Sequence, residues 1–154
     1  MPDVSVSQSI ACDPQTVYRL VSDVTRMGEW SPETVSCRWL AGAPGPVVGA
    51  RFKGTNRKGF RRWSTTCTVT EAEPGRQFAF RVASGPMPVA LWSYEFADDG
   101  AGCRVTESWV DRRPSFLRRL AGPVMGVRSY PEHTERGMRS TLAALARAAE
   151  STRG

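Results

Sequence analysis

The chain opens with an alternation of apolar and polar positions. Over residues 4–10, three apolar residues and a glutamine alternate with serines, which is typical of a β-strand with one buried face. Six further segments with the same period lie between residues 34 and 110, separated by turn sequences rich in glycine, proline, asparagine or aspartate. Strands joined by such turns pair in antiparallel fashion, so the pattern predicts a sheet of seven antiparallel strands.

Two short helices are predicted between the first and second strands. Asp13 and Pro14 suit the N-cap and the first position of a helix, and apolar residues recur at helical spacing over 17–21. Residues 22–23 are expected to cap a second short helix, which Gly28 would end. The chain therefore leaves its first strand through helices and not through a hairpin.

The C-terminal part of the chain loses strand alternation and gains leucine, alanine and arginine. Leu117 and Leu120 indicate a first helical segment, which the Gly-Pro pair at 122–123 is expected to interrupt. Beyond Pro131, mostly apolar residues at helical spacing predict a long amphipathic helix. They are Met138, Thr141, Leu142, Leu145, Ala146 and Ala149. Residues 151–154 are predicted to form a frayed tail.

This order of elements predicts an α+β fold, built as one domain over residues 1–150. A strongly twisted sheet must cover its apolar face, and a helix of about 20 residues, about 30 Å long, can lie in its curl. We expect a seven-stranded curved antiparallel sheet wrapped around the long C-terminal helix, with the two short helices after the first strand. Because a helix touches a curved sheet along a line, the space beside it is readily left as a cavity.

The composition and the lengths of the apolar runs indicate where the protein is located in the cell. The chain has 154 residues, of which 40% are hydrophobic, so it can bury a core and is not a disordered tail. Its apolar runs are far shorter than the roughly 20 residues of a membrane-spanning helix, and its start lacks the pattern of a secretory signal. We expect a cytoplasmic protein without stable membrane insertion, as a monomer or homodimer.

The net charge of +6 is concentrated in basic clusters. They lie at residues 57–62, at Arg112-Arg113 and at Arg118-Arg119. Each cluster is either a patch that contacts phosphate or an ordinary solvated rim. No helix-turn-helix, zinc-finger or RNP-like pattern accompanies the charge, so we expect no nucleic-acid partner.

The cysteines are Cys12, Cys37, Cys67 and Cys103, and they lie far apart in a chain whose only histidine is His133. Tetrahedral zinc sites use closely spaced Cys and His ligands, so no metal site is predicted. Motifs for nucleotide and dinucleotide binding are also missing from the sequence, and we expect no cofactor. Reduced, mostly buried thiols are favoured over a disulfide framework.

A resemblance to a known superfamily runs through nearly the whole chain. It is carried by residues 10–14, 17–18, 21–33, 49–52, 54–57, 63–69, 73–75 and 105–109, and by Met138 with Leu142 and Leu145. These segments resemble the START-like, or SRPBCC, superfamily, in particular bacterial proteins of the polyketide cyclase/dehydrase and lipid transport type. The resemblance implies the helix-grip, or Bet v 1-like, fold. It leaves the function open, because the superfamily includes cyclases, lipid carriers, hormone receptors and chaperone activators.

Strand alternation places large aromatic side chains on the sheet face that meets the long helix. The candidates for ligand binding are Trp39, Phe52, Trp63, Phe80, Trp92, Tyr94 and Trp109, with Met125 and Met138. The resemblance adds Trp30, whose segment borders the cavity mouth in similar proteins; the alternative for Trp30 is a lid packed on the core. The whole set is either ordinary core or the wall of a pocket for a hydrophobic small molecule.

Glu107 and His133 are the candidates for catalysis. A carboxyl group at 107 that faced inward would need a cation or a raised pKa, and in the second case it would suit acid–base chemistry. The alternative is that Glu107 points outward or pairs with an arginine at the sheet surface. His133, near the start of the long helix, is either exposed or catalytic. No GxSxG or HExxH motif is present, which argues against nucleophilic and metal-dependent hydrolysis.

Three functions remain open from the sequence. The first is a carrier that binds a lipid, polyketide or aromatic metabolite for transport, sequestration or sensing. The second is an enzyme, a cyclase, aromatase or dehydratase, which an inward-facing Glu107 or His133 with a perturbed pKa would favour. The third is a protein-interaction or chaperone-activator module, which a filled core would favour. Whether the protein is an enzyme is not decided by the sequence.

Overall fold

The computed structural model describes residues 2–125 and 130–151, with the backbone alone at 121–125 and at 130. Seven strands form one sheet, as predicted. They are β1 (Val4–Ile10), β2 (Thr34–Trp39), β3 (Arg51–Lys58), β4 (Arg61–Glu73), β5 (Gln77–Ser84), β6 (Met87–Asp98) and β7 (Cys103–Asp111). Their order is β1-β7-β6-β5-β4-β3-β2, and every neighbouring pair is antiparallel.

The two predicted short helices connect strands at opposite edges of the sheet. Helix α1 (Pro14–Ser22) begins where the Asp13 carboxylate accepts hydrogen bonds from the Thr16 amide at 3.0 Å and the Thr16 hydroxyl at 2.8 Å. A 3₁₀ helix (Val24–Glu29) follows directly. Since β1 and β2 lie at the two edges, these helices carry the chain across the full width of the sheet.

Gly28 does not end the second helix as predicted, because the 3₁₀ turn continues to Glu29. The structure gives this glycine another role. A Cβ atom at Gly28 would lie 2.8 Å from the carbonyl oxygen of Val35, so the backbones of the 3₁₀ helix and β2 are too close for a side chain.

Helix α2 (Ser115–Met125) contradicts the predicted interruption at 122–123. The helical backbone passes through Gly122 and Pro123 and is described as far as Met125. Proline lacks an N–H donor, so the helix continues past it with one backbone hydrogen bond fewer to the preceding turn. Residues 126–129 lie outside the described part of the chain.

The long C-terminal helix α3 (Tyr130–Ser151) packs against β1, β7 and α1. Its predicted apolar stripe is buried, with Met138, Leu142, Leu145 and Ala149 at 1% exposure or less. Near its end, Glu150 accepts a hydrogen bond from the Ala11 amide at 3.0 Å, which ties α3 to the end of β1. Ser151 is still helical, and the rest of the predicted frayed tail, residues 152–154, lies outside the described residues.

The four cysteines are free and buried, which confirms the prediction of reduced thiols. In the described parts of the chain, no helix is long and apolar enough to cross a membrane.

The hydrophobic core lies between the concave face of the sheet, α1 and the C-terminal half of α3. The N-terminal half of α3 borders a cavity, which is described next.

Candidate functional site

A cavity of about 190 Å³ lies between the sheet and the N-terminal half of α3. Strands β2 to β7 contribute to its wall, and α3 contributes His133, Thr134, Gly137, Met138 and Thr141. Sheet curvature explains its position, because the C-terminal half of α3 is packed into the core while the N-terminal half stands off the strands. Protein interiors contain few voids larger than a water molecule, so an opening of this size is a feature to be explained.

Six large aromatic side chains lie on the cavity wall. Phe52 and Phe80 pack edge to face with ring centroids 5.2 Å apart, and the Trp92 and Trp109 rings lie 6.4 Å apart. Trp92 and Trp109 come from the neighbouring strands β6 and β7, whereas Phe52 on β3 and Phe80 on β5 meet across β4. The rings hold one another in place, so the wall has a defined shape before any ligand binds.

Seven of the ten candidate ligand-binding residues lie on this wall. They are Phe52, Trp63, Phe80, Trp92, Tyr94, Trp109 and Met138. Trp39 does not line the cavity; its ring packs edge to face against that of Phe52, with ring centroids 5.5 Å apart. Trp30 is buried in the core beneath the Arg26 guanidinium, in agreement with the lid alternative. The side chain of Met125 lies outside the described residues.

Glu107 points into the cavity and is only 2% exposed. It lies opposite Tyr94 in the β6–β7 register, and the Tyr94 hydroxyl donates a hydrogen bond of 2.7 Å to its Oε2. Its Oε1 has no hydrogen-bond partner among the described residues. Burial raises the pKa of Glu107 to about 8, although the bond from Tyr94 acts in the opposite direction. Burial, and then the nearby Glu107 charge, also raises the pKa of Tyr94 well above its ordinary value.

His133 lies in the first turn of α3 and is neither fully exposed nor deeply buried. Its Nε2 is 2.5 Å from Oε1 of Glu33, a residue just before β2. The contact joins α3 to the segment that follows the 3₁₀ helix, and both residues line the cavity. Glu33 was not identified from the sequence, because one hundred positions separate it from His133 and no local pattern links them.

Arg113 is a second cavity residue that the sequence analysis missed. Its guanidinium donates to the Asp111 carboxylate at 2.6 Å and 2.9 Å, and its side chain is only 12% exposed. Burial acts to raise the pKa of Asp111, but the hydrogen bonds and charge of Arg113 outweigh it and leave this pKa below its ordinary value. Arg113 is therefore not part of a solvated rim, unlike the cluster at 57–62, which forms the tip of the β3–β4 hairpin.

This arrangement offers a mainly apolar, partly open cavity in which Glu107 is the buried acid group whose pKa is raised to about 8. No group of three or more His, Cys, Asp or Glu side chains in the described chain is placed to hold a metal ion. The chemistry that the cavity can supply is hydrophobic contact, hydrogen bonding through Tyr94 and Glu107, and proton exchange at Glu107.

Comparison with known proteins agrees with this fold. A structure from Chromobacterium violaceum superimposes with a TM-score of 0.72 at 17% identity over 96% of both chains. A polyketide-cyclase-like protein from Corynebacterium glutamicum is 35% identical over 96% of this chain and 84% of its own, with a TM-score of 0.53. The di-domain ARO/CYC protein StfQ from the steffimycin biosynthetic pathway reaches a TM-score of 0.72 at 11% identity, over 97% of this chain and 50% of its own.

No curated protein matches the sequence. The family described as polyketide cyclase/dehydrase and lipid transport matches residues 1–150. That match spans every element from β1 to α3, apart from Ser151, the last residue of α3. The helix-grip fold expected from the sequence is the one observed. The chain therefore belongs to the polyketide cyclase/dehydrase and lipid transport family.

Proposed function

We propose that the protein binds a hydrophobic small molecule in the cavity under α3, for transport, sequestration or sensing. The observation that carries the proposal is the cavity itself, about 190 Å³ walled by aromatic rings in an otherwise packed core. An unfilled apolar space costs stability, so a protein that keeps one gains from a ligand that fills it. The same cavity disfavours the protein-interaction alternative, which expects a filled core.

Native mass spectrometry of the purified protein tests this proposal. We expect a stoichiometric mass increase, and solvent extraction followed by mass analysis should identify the bound compound. If the protein shows only the mass of the bare chain, and keeps it when lipids, aromatic polyketides and small aromatic ketones are offered, the proposal is wrong.

A pair of leucine substitutions on β3 gives a matched control. Gly54 lines the cavity, and a Cβ there meets Oγ1 of Thr65 at 3.5 Å and Sγ of Cys37 at 3.6 Å, both ordinary contacts. Gly54→Leu should therefore fold and fill the cavity, with loss of bound ligand. Thr55→Leu adds a similar side chain on the opposite face of the strand and should retain the ligand.

A second candidate function is acid–base catalysis in the same cavity, as in a cyclase or dehydratase. The pKa of Glu107 at about 8 favours it, because a general acid or base works best when its pKa lies near the operating pH. In its ionised form Glu107 would remove a proton from a carbon next to a carbonyl group, and it would then pass that proton to the oxygen atom that becomes the new alcohol or leaves as water. Turnover of a poly-β-ketone analogue by the wild-type protein and its loss in Glu107→Gln would support this role, and Glu95→Gln on the other face of β6 should leave it unchanged.

A further inference from the structure

We infer that the ligand is a compact molecule of about one substituted ring that carries a carbonyl oxygen, which accepts a hydrogen bond from Oε1 of Glu107. The inference rests on the proposed function and narrows it to a class of ligand. It depends on the position of the Glu107 proton, on the lack of a hydrogen-bond partner for Oε1 of Glu107 among the described residues, and on the size of the cavity.

The position of the proton follows from the Tyr94–Glu107 contact. Tyr94 has a single hydroxyl proton and donates it to Oε2 of Glu107 at 2.7 Å. When Glu107 is neutral, its own proton therefore belongs on Oε1. That atom is buried, meets no acceptor among the described residues and belongs to a side chain that lines the cavity. A ligand that reaches Oε1 would supply the acceptor.

The neutral state of Glu107 is consistent with its surroundings. No ion pair to Glu107 is present among the described residues, and burial raises its pKa. Below about pH 8 it donates a hydrogen bond, and a ketone, ester or amide oxygen is the natural partner. A hydrocarbon would leave the donor unsatisfied, and an ammonium group would lose part of its hydration in a mainly apolar cavity.

The other titratable groups on the cavity wall do not compete for this role. They are Glu33, Cys37, Cys67, Tyr94, Arg113 and His133. Arg113 is engaged by Asp111 and His133 by Glu33, while burial raises the thiol pKa of Cys37 to about 11 and that of Cys67 to about 12. Glu107 is a group on this wall whose pKa is raised to about 8.

The volume limits the size of the ligand. An engineered cavity of about 150 Å³ in another protein holds benzene, so about 190 Å³ accommodates one ring with a short substituent. A long acyl chain or a fused multi-ring polyketide exceeds the cavity in this structure. The inference therefore favours small aromatic or alicyclic carbonyl compounds over membrane lipids.

Three probes with one carbon skeleton test the chemistry. Acetophenone carries the carbonyl acceptor, ethylbenzene lacks it, and 1-phenylethylamine replaces it with a cation. By isothermal titration calorimetry near pH 6.5, acetophenone should bind about fivefold to tenfold more tightly than ethylbenzene, the value of one neutral hydrogen bond. Near pH 9.5 Glu107 is ionised and no longer donates, so this preference should disappear.

Two substitutions of Glu107 test whether its hydrogen-bond donor, and not the shape of the site, causes the preference for acetophenone. Glu107→Leu removes the hydrogen bond and should bind the two neutral probes equally at both pH values. In Glu107→Gln the amide nitrogen can donate at any pH, so the preference for acetophenone should persist near pH 9.5. Glu95→Gln, on the opposite face of β6, should behave as the wild type.

The outcomes distinguish the inference from the proposed function. Equal binding of acetophenone and ethylbenzene near pH 6.5, or tighter binding of the amine, would overturn the inference and leave the cavity as a ligand site. Failure of all three probes together with a larger molecule found by native mass spectrometry would also overturn it. Failure of the probes with no molecule found in the protein would overturn both.

Discussion

Glu107 and Tyr94 face each other across β6 and β7, and both titratable groups are removed from water. The cost of burying a charge keeps the carboxyl group neutral, and the single hydrogen bond from Tyr94 offsets only part of that cost. The unfolded chain carries no such cost. Protonation of Glu107 and stability of the fold are therefore linked.

Stability should consequently fall as pH rises. From pH 4.5 to about 8 the folded protein retains a proton on Glu107 that the unfolded chain has released. Because the native state binds more protons in this window, the free energy of unfolding decreases through it. We expect the wild type to lose a few kcal/mol relative to Glu107→Gln between about pH 5 and pH 8.5, since one pKa unit corresponds to about 1.4 kcal/mol.

Urea denaturation of both proteins at the two pH values measures this difference. The m-values should agree, which would show that the substitution changes stability and not the extent of unfolding. A wild-type curve parallel to that of Glu107→Gln across the whole range would contradict a buried, neutral Glu107.

Strand parity was sufficient to predict which residues share a face of the sheet. For Glu107 it left two alternatives open, a side chain that faces inward and one that points outward. The pairing of His133 with Glu33 was beyond sequence analysis, because two segments one hundred residues apart meet there only after α3 has docked.

At the scale of elements, close contacts between backbones determine where the short segments lie. Gly28 lets the 3₁₀ helix pass directly beside β2, and this contact brings the segment containing Glu33 to the cavity. Sequence analysis identified this glycine as a helix terminator, since a contact with a distant carbonyl oxygen leaves no local signal. It likewise overestimated the effect of the Gly-Pro pair at 122–123, through which the helical backbone of α2 continues.

Two glycine-to-alanine substitutions test this role. Gly28→Ala places a methyl group 2.8 Å from the Val35 carbonyl oxygen, so β2 must shift, and we expect a loss of about 1–3 kcal/mol. Gly137→Ala in α3 has ample room, with the Pro32 ring 3.8 Å away, and should stabilise the helix by about 0.5–1 kcal/mol. Thermal unfolding compares the two. Equal effects from both would show that backbone proximity at Gly28 is unimportant.

At the scale of the whole molecule, the order of the elements was enough to predict the architecture. One strand, two helices, six strands and a long helix have a simple solution in which the sheet curls around the helix. The existence of a cavity follows from that geometry, whereas its volume does not. The volume depends on how far Phe52, Phe80, Trp92 and Trp109 reach toward α3, and therefore on side-chain packing that no periodicity encodes.

The alkylation rates of the buried thiols report the motions that admit a ligand. Cys37 and Cys67 lie on the cavity wall, whereas Cys103 is fully buried at the start of β7, next to the edge strand. An alkylating reagent reaches each thiol only when its surroundings open, so labelling rates resolve local opening from global unfolding. We expect a bound ligand to slow labelling of Cys37 and Cys67 more than that of Cys103, as read from peptide masses over time. Equal slowing of labelling at all of these cysteines would mean that the cavity opens only when the whole protein unfolds.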